Sequence, residues 1–246
     1  MQYVLLFGVG ALAGFINVMA GGGSSLTLPM LIFLGLDGAM ANGTNRVAIV
    51  LQNVFAVLSF HKRKQSAYKE SFQLALLTLP GAILGALTAV NITDAWFKKI
   101  LSLVLIGIVL SLFFPTTKRR NEDAPTNGKT PWAIYPAMFG IGFYGGFIQA
   151  GVGFLLMAAL YHILKLNLVA VNMHKVFIVF VYTIPALGIF VATGNVDWVL
   201  GLCLAAGNSF GAWWGAHVAV KGGEKIIRAI LAVAILIMAV KLLGLF

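Results

Sequence analysis

The chain has 246 residues, of which 60% are hydrophobic and only 10% are charged. A soluble domain carries about 25% charged residues, so this composition excludes water as the main solvent of the folded chain. The 17 Lys and Arg residues outnumber the 7 Asp and Glu residues, but they sit mainly in short loops between apolar segments. This placement indicates membrane topology signals and excludes a basic nucleic-acid-binding face.

Apolar segments follow one another along the chain in two groups of five. The pattern predicts segments near 3–20, 26–36, 42–60, 71–92 and 96–114, and then near 132–150, 154–164, 169–192, 196–218 and 226–246. The groups are separated by 115–131, where prolines and charges replace apolar residues. We therefore predict an all-α polytopic membrane protein with a first repeat at 1–114, a linker at 115–131 and a second repeat at 132–246. It would contain about eight full spans and two short segments.

The two groups resemble each other in sequence and in order, which indicates an internal duplication. The matching pieces are Ala20-Gly21-Gly22-Gly23 with Ala150-Gly151-Val152-Gly153, Ala41–Val50 with Ala170–Val179, and Gly81 and Gly85 with Gly207 and Gly211. The last four glycines also predict smooth faces for close helix packing.

Loop charge predicts that the second repeat is inverted in the membrane. Cytoplasmic loops carry the excess of Lys and Arg, which places 61–70, 115–131, Lys165 and 219–228 on the cytoplasmic side. This placement needs all five segments of each half to cross or to behave as crossings, and because five is odd the halves then have opposite orientations. Lys98 and Lys99 would fall on the outer side, which counts against this scheme. The alternative, with each glycine break inside a single span, would turn the basic loop at 219–228 outward.

A glycine-rich break precedes the short second segment of each half. Gly21, Gly22, Gly23 and Ser24 precede a segment of about 11 residues, which at 1.5 Å per residue is too short to cross a bilayer. We therefore predict a discontinuous helix beside a cavity, because broken backbone at membrane depth needs polar surroundings. The following half-helix would point its N-terminal amides at an anion. Close packing alone is the other interpretation of these glycines.

Two cations, Arg46 and Lys175, occupy equivalent positions near the starts of long apolar segments, after Asn45 and His174. Each cation either extends to the membrane interface or faces an interior cavity and meets an anion. Polar neighbours that could surround an oxyanion, or simply join helices, are Asn17, Asn42, Thr44, Gln52, Asn53, Gln149 and Asn172. No carboxylate lies deep in an apolar segment, which favours anions over cations. His174 is either a proton sensor or a hydrogen-bonded structural residue.

These residues also resemble a known family. The segments GFINVMAGGGSSLTLP and ANGTNRVAIVLQN, with GFYGGFIQAGVGFLL and AVNMHKVFIV in the second half, are similar to the paired signatures of TauE/SafE-type membrane permeases. The resemblance implies export of sulfite, sulfoacetate or another organosulfonate, and a multi-pass location in the bacterial inner membrane. The substrate site it implies comprises Gly21, Gly22, Gly23, Ser24, Asn42, Asn45, Arg46, Gly151, Gly153, Asn172, His174 and Lys175.

The resulting expectation is a secondary transporter that moves a small anion by alternating access between the two halves. An anion channel would use the same cations, and a membrane scaffold could use the polar breaks to bind a partner helix. No catalytic or ATP-binding motif is present, and no cofactor or metal is expected. The expected partners are the small anion and the lipid bilayer, and the small-residue faces leave pairing into a homodimer open.

Overall fold

The computed structural model describes residues 2–62, 68–113 and 131–219. Within these ranges the chain is helical without β-strands, which confirms the all-α prediction. The helices are α1 (Gln2–Ala20), α2 (Ser24–Phe33), α3 (Gly38–Lys62), α4 (Tyr68–Asn91), α5 (Asp94–Phe113), α6 (Ile134–Phe147), α7 (Val152–His162), α8 (Leu168–Ala192) and α9 (Trp198–Ala219). The predicted segment 226–246, and the predicted linker apart from Pro131, lie outside the described residues.

The helices expose large apolar side chains. Val4 is 77% exposed, Leu103 is 66% exposed and Val199 is 63% exposed. In the described part of the chain, α1, α4 and α8 are each long and apolar enough to cross a membrane, while α2 and α7 are shorter apolar helices. An apolar surface of this extent is typical of a protein that resides in a membrane and not in water.

Glycines bring two pairs of helices into close contact. Along α1 and α9 the facing residues are Gly10 with Leu204, Gly14 with Asn208, Gly211 with Ala11 and Gly215 with Phe15, and along α4 and α6 they are Gly81 with Phe139, Gly85 with Phe143, Gly142 with Thr78 and Gly146 with Ala82. Residue numbers rise together in both pairs, so the helices of each pair run parallel. The predicted role of these glycines in close packing is confirmed, because a side chain there would collide with neighbouring backbone.

The two long central helices, α3 and α8, run antiparallel. Gly43 near the start of α3 faces Phe190 near the end of α8. Phe60 near the end of α3 packs with Met173 and Val176 near the start of α8. Since α3 and α8 hold equivalent positions in the two halves, this pair relates the direction of one half to that of the other.

Each central helix also lies parallel to a helix from the opposite half. Thr44 of α3 approaches Gly201 of α9. About two turns further along both helices, Asn208 donates to Gln52 at 3.2 Å. For α8 and α4, His174 pairs with Ser71 at 2.8 Å near their starts, while alanines of α4 meet Ala186 and Phe190 near their ends. The bundle is therefore built from contacts between halves.

The connections between helices gather at two ends of the bundle. At the first, Asp94 accepts from the Gly38 amide at 2.7 Å, and the Asp197 amide donates to Thr44 at 2.9 Å. The start of α1 lies there too, because the Cys203 thiol donates to the Tyr3 carbonyl at 3.3 Å. We name this the aspartate end, after Asp37, Asp94 and Asp197. The opposite end, called the lysine end, holds the start of α4, with Lys69, and the α7–α8 connection, with Lys165.

The short helices α2 and α7 turn back towards the end from which the preceding helix came. Leu28 and Leu31 of α2 share a core with Ala41 and Phe97 at the aspartate end, where α1 begins. Leu160 of α7 shares a core at the lysine end, where α6 begins, with residues that include Leu74 and Ile134. Each pair of helices, α1–α2 and α6–α7, therefore forms a hairpin whose tip lies inside the bundle.

The second break differs in position from the prediction. We expected it at Gly151–Gly153, followed by a segment near 154–164, whereas α6 ends at Phe147 and α7 begins at Val152. Gly153 therefore lies in the first turn of α7. Likewise Ser24 is the first residue of α2 and not part of the first break. In the second motif the later glycine, Gly153, is helical, whereas in the first motif Gly22 and Gly23 precede the helix, which begins at Ser24.

A matched pair of glycines in α6 tests the close packing with α4. A Cβ at Gly142 would meet the Thr78 backbone, whereas a Cβ at Gly140 would have nothing within 4 Å. Overpacking costs about 1–3 kcal/mol, and Gly→Ala in an unobstructed helix gains about 0.5–1 kcal/mol. We expect Gly142→Ala to lower the thermal unfolding midpoint in detergent and Gly140→Ala to leave it equal or higher. Equal midpoints for the two variants would contradict the α4–α6 contact.

Candidate functional site

Two equivalent glycines reverse the chain at the ends of α1 and α6. Gly21 has φ of 83° and Gly151 has φ of 70°, the left-handed region in which glycine carries no steric penalty. The Gly21 amide donates to the Asn17 carbonyl at 2.9 Å, in the manner of a glycine that ends a helix. Both hairpin tips thus contain a glycine with positive φ at the same position of the repeat.

The hairpin tips touch each other at the centre of the bundle. A Cβ on Gly153 would collide with the backbone of Gly21, and a Cβ on Gly21 would collide with the backbone of Gly153. Both glycines are buried. The two breaks, which are 130 positions apart in the printed sequence, therefore form one continuous region and not two separate sites.

Arg46 reaches from α3 to the broken end of α6 in the other half. Its Nη2 donates to the Gly145 carbonyl at 3.1 Å and also to the Gly146 carbonyl, while Nη1 donates to Gln149 Oε1 at 3.3 Å. Asn42, one turn earlier in α3, donates to the Phe147 carbonyl at 2.6 Å. The last carbonyls of a helix lack partners within the helix and carry its negative dipole end, so a cation is stabilised there.

Lys175 makes the reciprocal contact. It extends from α8 to the end of α1, where its Nζ donates to the Val18 carbonyl at 2.8 Å. The same Nζ donates to Asn172 Oδ1 at 2.7 Å and lies 3.7 Å from the sulfur of Met157. Each half therefore supplies the cation that holds the broken helix of the other half.

Neither cation has an acidic partner among the described residues. Arg46 is 0% exposed and Lys175 is 2% exposed, and in the described part of the chain the one ion pair joins Lys98 to Asp94 at the aspartate end. The side chains that contact Arg46 are the amides of Asn42 and Gln149 and the ring of Phe190, whose centroid lies 4.8 Å from Cζ. Two basic side chains are thus buried against neutral groups, and an anion would be attracted to such a region.

The residues before the cations have different partners in the two halves. Asn45 accepts a hydrogen bond from Thr27 of α2 at 2.6 Å, which ties α3 to the first hairpin. His174 instead pairs with Ser71 of α4, away from the second hairpin. The sequence treated Asn45 and His174 as equivalent, but only Asn45 contacts the short helix of its own half in these bonds.

The predicted site residues are all buried, and they fall into two groups around the touching hairpins. The first-half group is Gly21, Gly22, Gly23, Ser24, Asn42, Asn45 and Arg46, and the second-half group is Gly151, Gly153, Asn172, His174 and Lys175. His174 differs from the others in its bond to Ser71 of α4. That these residues bind substrate stays a prediction. In this conformation they are buried and closed off from the protein surface.

Several residues of this region were not in the predicted site. Thr27 binds Asn45, Phe190 stacks on Arg46, and Tyr182 donates to Gln149 Oε1 at 3.3 Å. Gln149 was named only as a polar neighbour, although it has an unusual positive φ of 63°. Thr27 could have been found from its place one turn after the first break. Tyr182 and Phe190 carry no local signal, because their contacts join helices distant in sequence.

The described residues contain no group of His, Cys, Asp and Glu side chains suited to a metal ion. The donors that meet around the hairpins are instead a guanidinium, an ammonium, amides and hydroxyls, all of which suit an oxyanion.

Comparison with known proteins identifies the family. Residues 6–242 match the family described as sulfite exporter TauE/SafE. The chain belongs to the TauE/SafE family. One relative, a probable membrane transporter protein, ORF9, of Sinorhizobium sp, is 30% identical over 97% of this chain and 91% of its own length. Probable membrane transporter proteins of Haemophilus influenzae and Escherichia coli (YfcA) are each 29% identical over 97% of this chain, covering 93% and 88% of their own lengths. No solved structure matches the chain significantly.

Family membership agrees with the motifs that carried the resemblance in sequence, and the relatives' names describe membrane transport and not catalysis. The recognition of a TauE/SafE-type membrane permease is thereby confirmed. The signatures lie in the touching hairpins, which hold the glycine motifs, and in the first halves of α3 and α8, which hold the two cations.

A pair of left-handed glycines tests the contact between the hairpin tips. Gly21→Ala and Gly194→Ala both place a side chain at positive φ, but only at Gly21 would the new Cβ collide with backbone, that of Gly153. We expect Gly194→Ala to cost only the left-handed strain, about 1–2 kcal/mol. Gly21→Ala should cost more and lower the unfolding midpoint further, measured by thermal unfolding in detergent. Equal losses in both variants would show that the tips do not touch.

Proposed function

We propose that this TauE/SafE protein is a secondary transporter for a small oxyanion, with the substrate bound beside the touching hairpin tips. The observation that carries the proposal is the burial of Arg46 and Lys175 without an acidic partner in the described part of the chain. A buried cation costs several kcal/mol unless it is paired, so two retained in one region favour a function that uses their charge.

The backbone carbonyls at both cations offset part of this cost but not their charge. Val18 and the carbonyls at the end of α6 carry only partial negative charge, the equivalent of about half an electron for a whole helix end. The region therefore keeps a net positive potential, which attracts anions and repels cations. A scaffold would gain nothing from that potential, and this supports transport over partner-helix binding.

The substrate that we propose is a sulfur-containing oxyanion: sulfite, sulfoacetate or another organosulfonate, moved outward. The family description, sulfite exporter TauE/SafE, supports the substrate class and the direction. Guanidinium, amide and hydroxyl donors match the several acceptor oxygens of a sulfite or sulfonate group. The proposed site comprises the first-half and second-half groups named above.

Alternating access between two inverted halves is the proposed mechanism. Antiparallel packing of the equivalent helices α3 and α8 supports inversion, as Gly43 faces Phe190 while Phe60 packs with Met173. Inverted halves around a midplane site are typical of secondary transporters whose halves rock against each other. The domain division follows, with repeats at 1–114 and 132–246 on either side of the linker 115–131.

Sulfite flux into proteoliposomes tests the proposal. We expect the parent protein to give saturable uptake, and both Arg46→Gln and Lys175→Gln to reduce it at least about tenfold, since one charged hydrogen bond corresponds to about that factor. Lys98→Gln serves as the matched control, because it removes an exposed cation paired with Asp94 far from the hairpins. It should leave flux unchanged.

Each variant is first checked for folding by its thermal unfolding midpoint. Unchanged flux in both folded hairpin variants would overturn the paired-cation site. An ohmic single-channel current in place of saturable uptake would replace the carrier by an anion channel.

A second proposal concerns orientation in the bacterial inner membrane, with the lysine end and the linker 115–131 in the cytoplasm. It is supported by the Lys and Arg residues of the sequence segments 61–70 and 115–131 and by Lys165, which together outnumber Lys98 and Lys99 near the aspartate end. With Cys203 replaced by serine, Ala95→Cys marks the aspartate end and His162→Cys the lysine end, and both positions are exposed. An impermeant maleimide should label Ala95→Cys in intact cells but His162→Cys only after permeabilisation. The reverse pattern would refute this orientation.

A further inference from the structure

The two hairpins are alike in backbone but unlike in side chains. After the equivalent glycines, α2 begins with Ser24 and Ser25 and continues to Thr27. The matching positions of α7 are the apolar residues Phe154, Leu155 and Met157. Only the first half therefore surrounds the N-terminal amides of its short helix with hydroxyl groups, although both halves descend from one repeat.

The two halves also differ in whether their buried polar side chains have hydrogen-bond partners. Three buried side-chain atoms at the first hairpin have no partner: Ser25 Oγ, Asn45 Nδ2 and Arg46 Nε. Their residues are 1%, 0% and 0% exposed. Two of these groups can only donate, and the Ser25 hydroxyl can donate as well. Ser25 lies in the first turn of α2, Asn45 is bonded to Thr27 of α2, and Arg46 is the next residue of α3. A buried donor without a partner is unfavourable, so these three groups are candidates to bind an acceptor.

At the second hairpin, by contrast, the donors of the cation all have partners. Lys175 has three donor hydrogens, and its Nζ contacts the Val18 carbonyl, Asn172 Oδ1 and the Met157 sulfur. His174 Nδ1 is bonded to Ser71. Lys175 would have to release the end of α1 in order to bind an anion, whereas Arg46 can hold α6 through Nη1 and Nη2 and still donate from Nε.

We propose that the anion is bound by the first half alone, by Ser25 Oγ, Asn45 Nδ2 and Arg46 Nε at the start of α2. Lys175 is a positioning residue that holds α1, and with it the first hairpin, in place. This inference rests on the proposed function, and it narrows the paired-cation site to one half.

Charge defines the ligand class. The subsite has one full positive charge, that of Arg46, and the positive end of α2, which has no acidic residue in its first turn. A monovalent oxyanion would neutralise this charge, and a sulfonate or hydrogen sulfite group presents enough oxygens for the three donors. A dianion, sulfoacetate at neutral pH included, would leave a negative charge in an apolar interior, so within the proposed substrate class the subsite favours hydrogen sulfite or a monovalent sulfonate.

Two measurements on purified full-length protein test the inference: equilibrium binding of sulfite in detergent, and the concentration dependence of sulfite flux in proteoliposomes. We expect Ser25→Ala and Arg46→Gln to weaken sulfite binding about tenfold and to raise KM correspondingly. Lys175→Gln should lower the maximal flux while KM and Kd change less than about twofold. Thr183→Val is the matched control for Ser25→Ala, because Thr183 also carries a fully buried hydroxyl but lies in the middle of α8, outside the hairpins.

The outcomes separate the two proposals. If Lys175→Gln weakens sulfite binding as strongly as Arg46→Gln, both halves contact the anion and the inference is overturned. If Ser25→Ala binds sulfite as tightly as Thr183→Val and the parent protein do, the start of α2 is not the subsite. If sulfite binds to the parent protein and binds more weakly to Ser25→Ala and Arg46→Gln, but no flux is measured, the subsite is upheld and transport is refuted. Absence of sulfite binding to the parent protein would overturn the subsite itself.

Discussion

The structure depends on one constraint: a helix that ends inside an apolar bundle leaves carbonyl groups that must find donors. Water satisfies such groups at a protein surface, but it cannot do so at the buried ends of α1 and α6. Arg46 and Asn42 supply the donors for α6, and Lys175 supplies a donor for α1. In both cases the donor comes from the other half. The breaks that create a polar interior therefore also join the halves, and neither half could keep its hairpin closed alone.

Glycine makes this arrangement geometrically attainable. The hairpin tips meet backbone to backbone at Gly21 and Gly153, which brings the cations of the two halves to one region. Close approach of α4 to α6 and of α1 to α9 then covers that region from both sides. Both helix pairs join one half to the other. The interface between the halves therefore both stabilises the bundle and contains the polar centre. Small residues thus set the shape of the bundle, and the polar residues determine what it can bind.

Much of this could be predicted from the sequence because membrane helices and breaks leave local signals. Long apolar runs predicted the helices, and the repeated glycine motif predicted both hairpins, to within a few residues. The contacts of the cations could not be predicted, since Arg46 meets residues about 100 positions away. Equivalence in the alignment was also misleading. Asn45 and His174 align, yet one bonds within its own half and the other bonds to α4, because a repeat preserves backbone position more strictly than side-chain partners.

Reciprocal contacts between halves have a consequence for any transport cycle. A ligand shifts a conformational equilibrium only by as much as it binds one state better than another. Arg46 contacts the end of α6 through Nη2 and Gln149 through Nη1, and its buried Nε is a further donor. An anion held there would change the charge that α6 meets, and so would change the strength of the contact between halves. Binding and relative movement of the halves would then be coupled through one guanidinium. No separate relay is required, because the group that recognises the anion is also the group that holds the opposite helix.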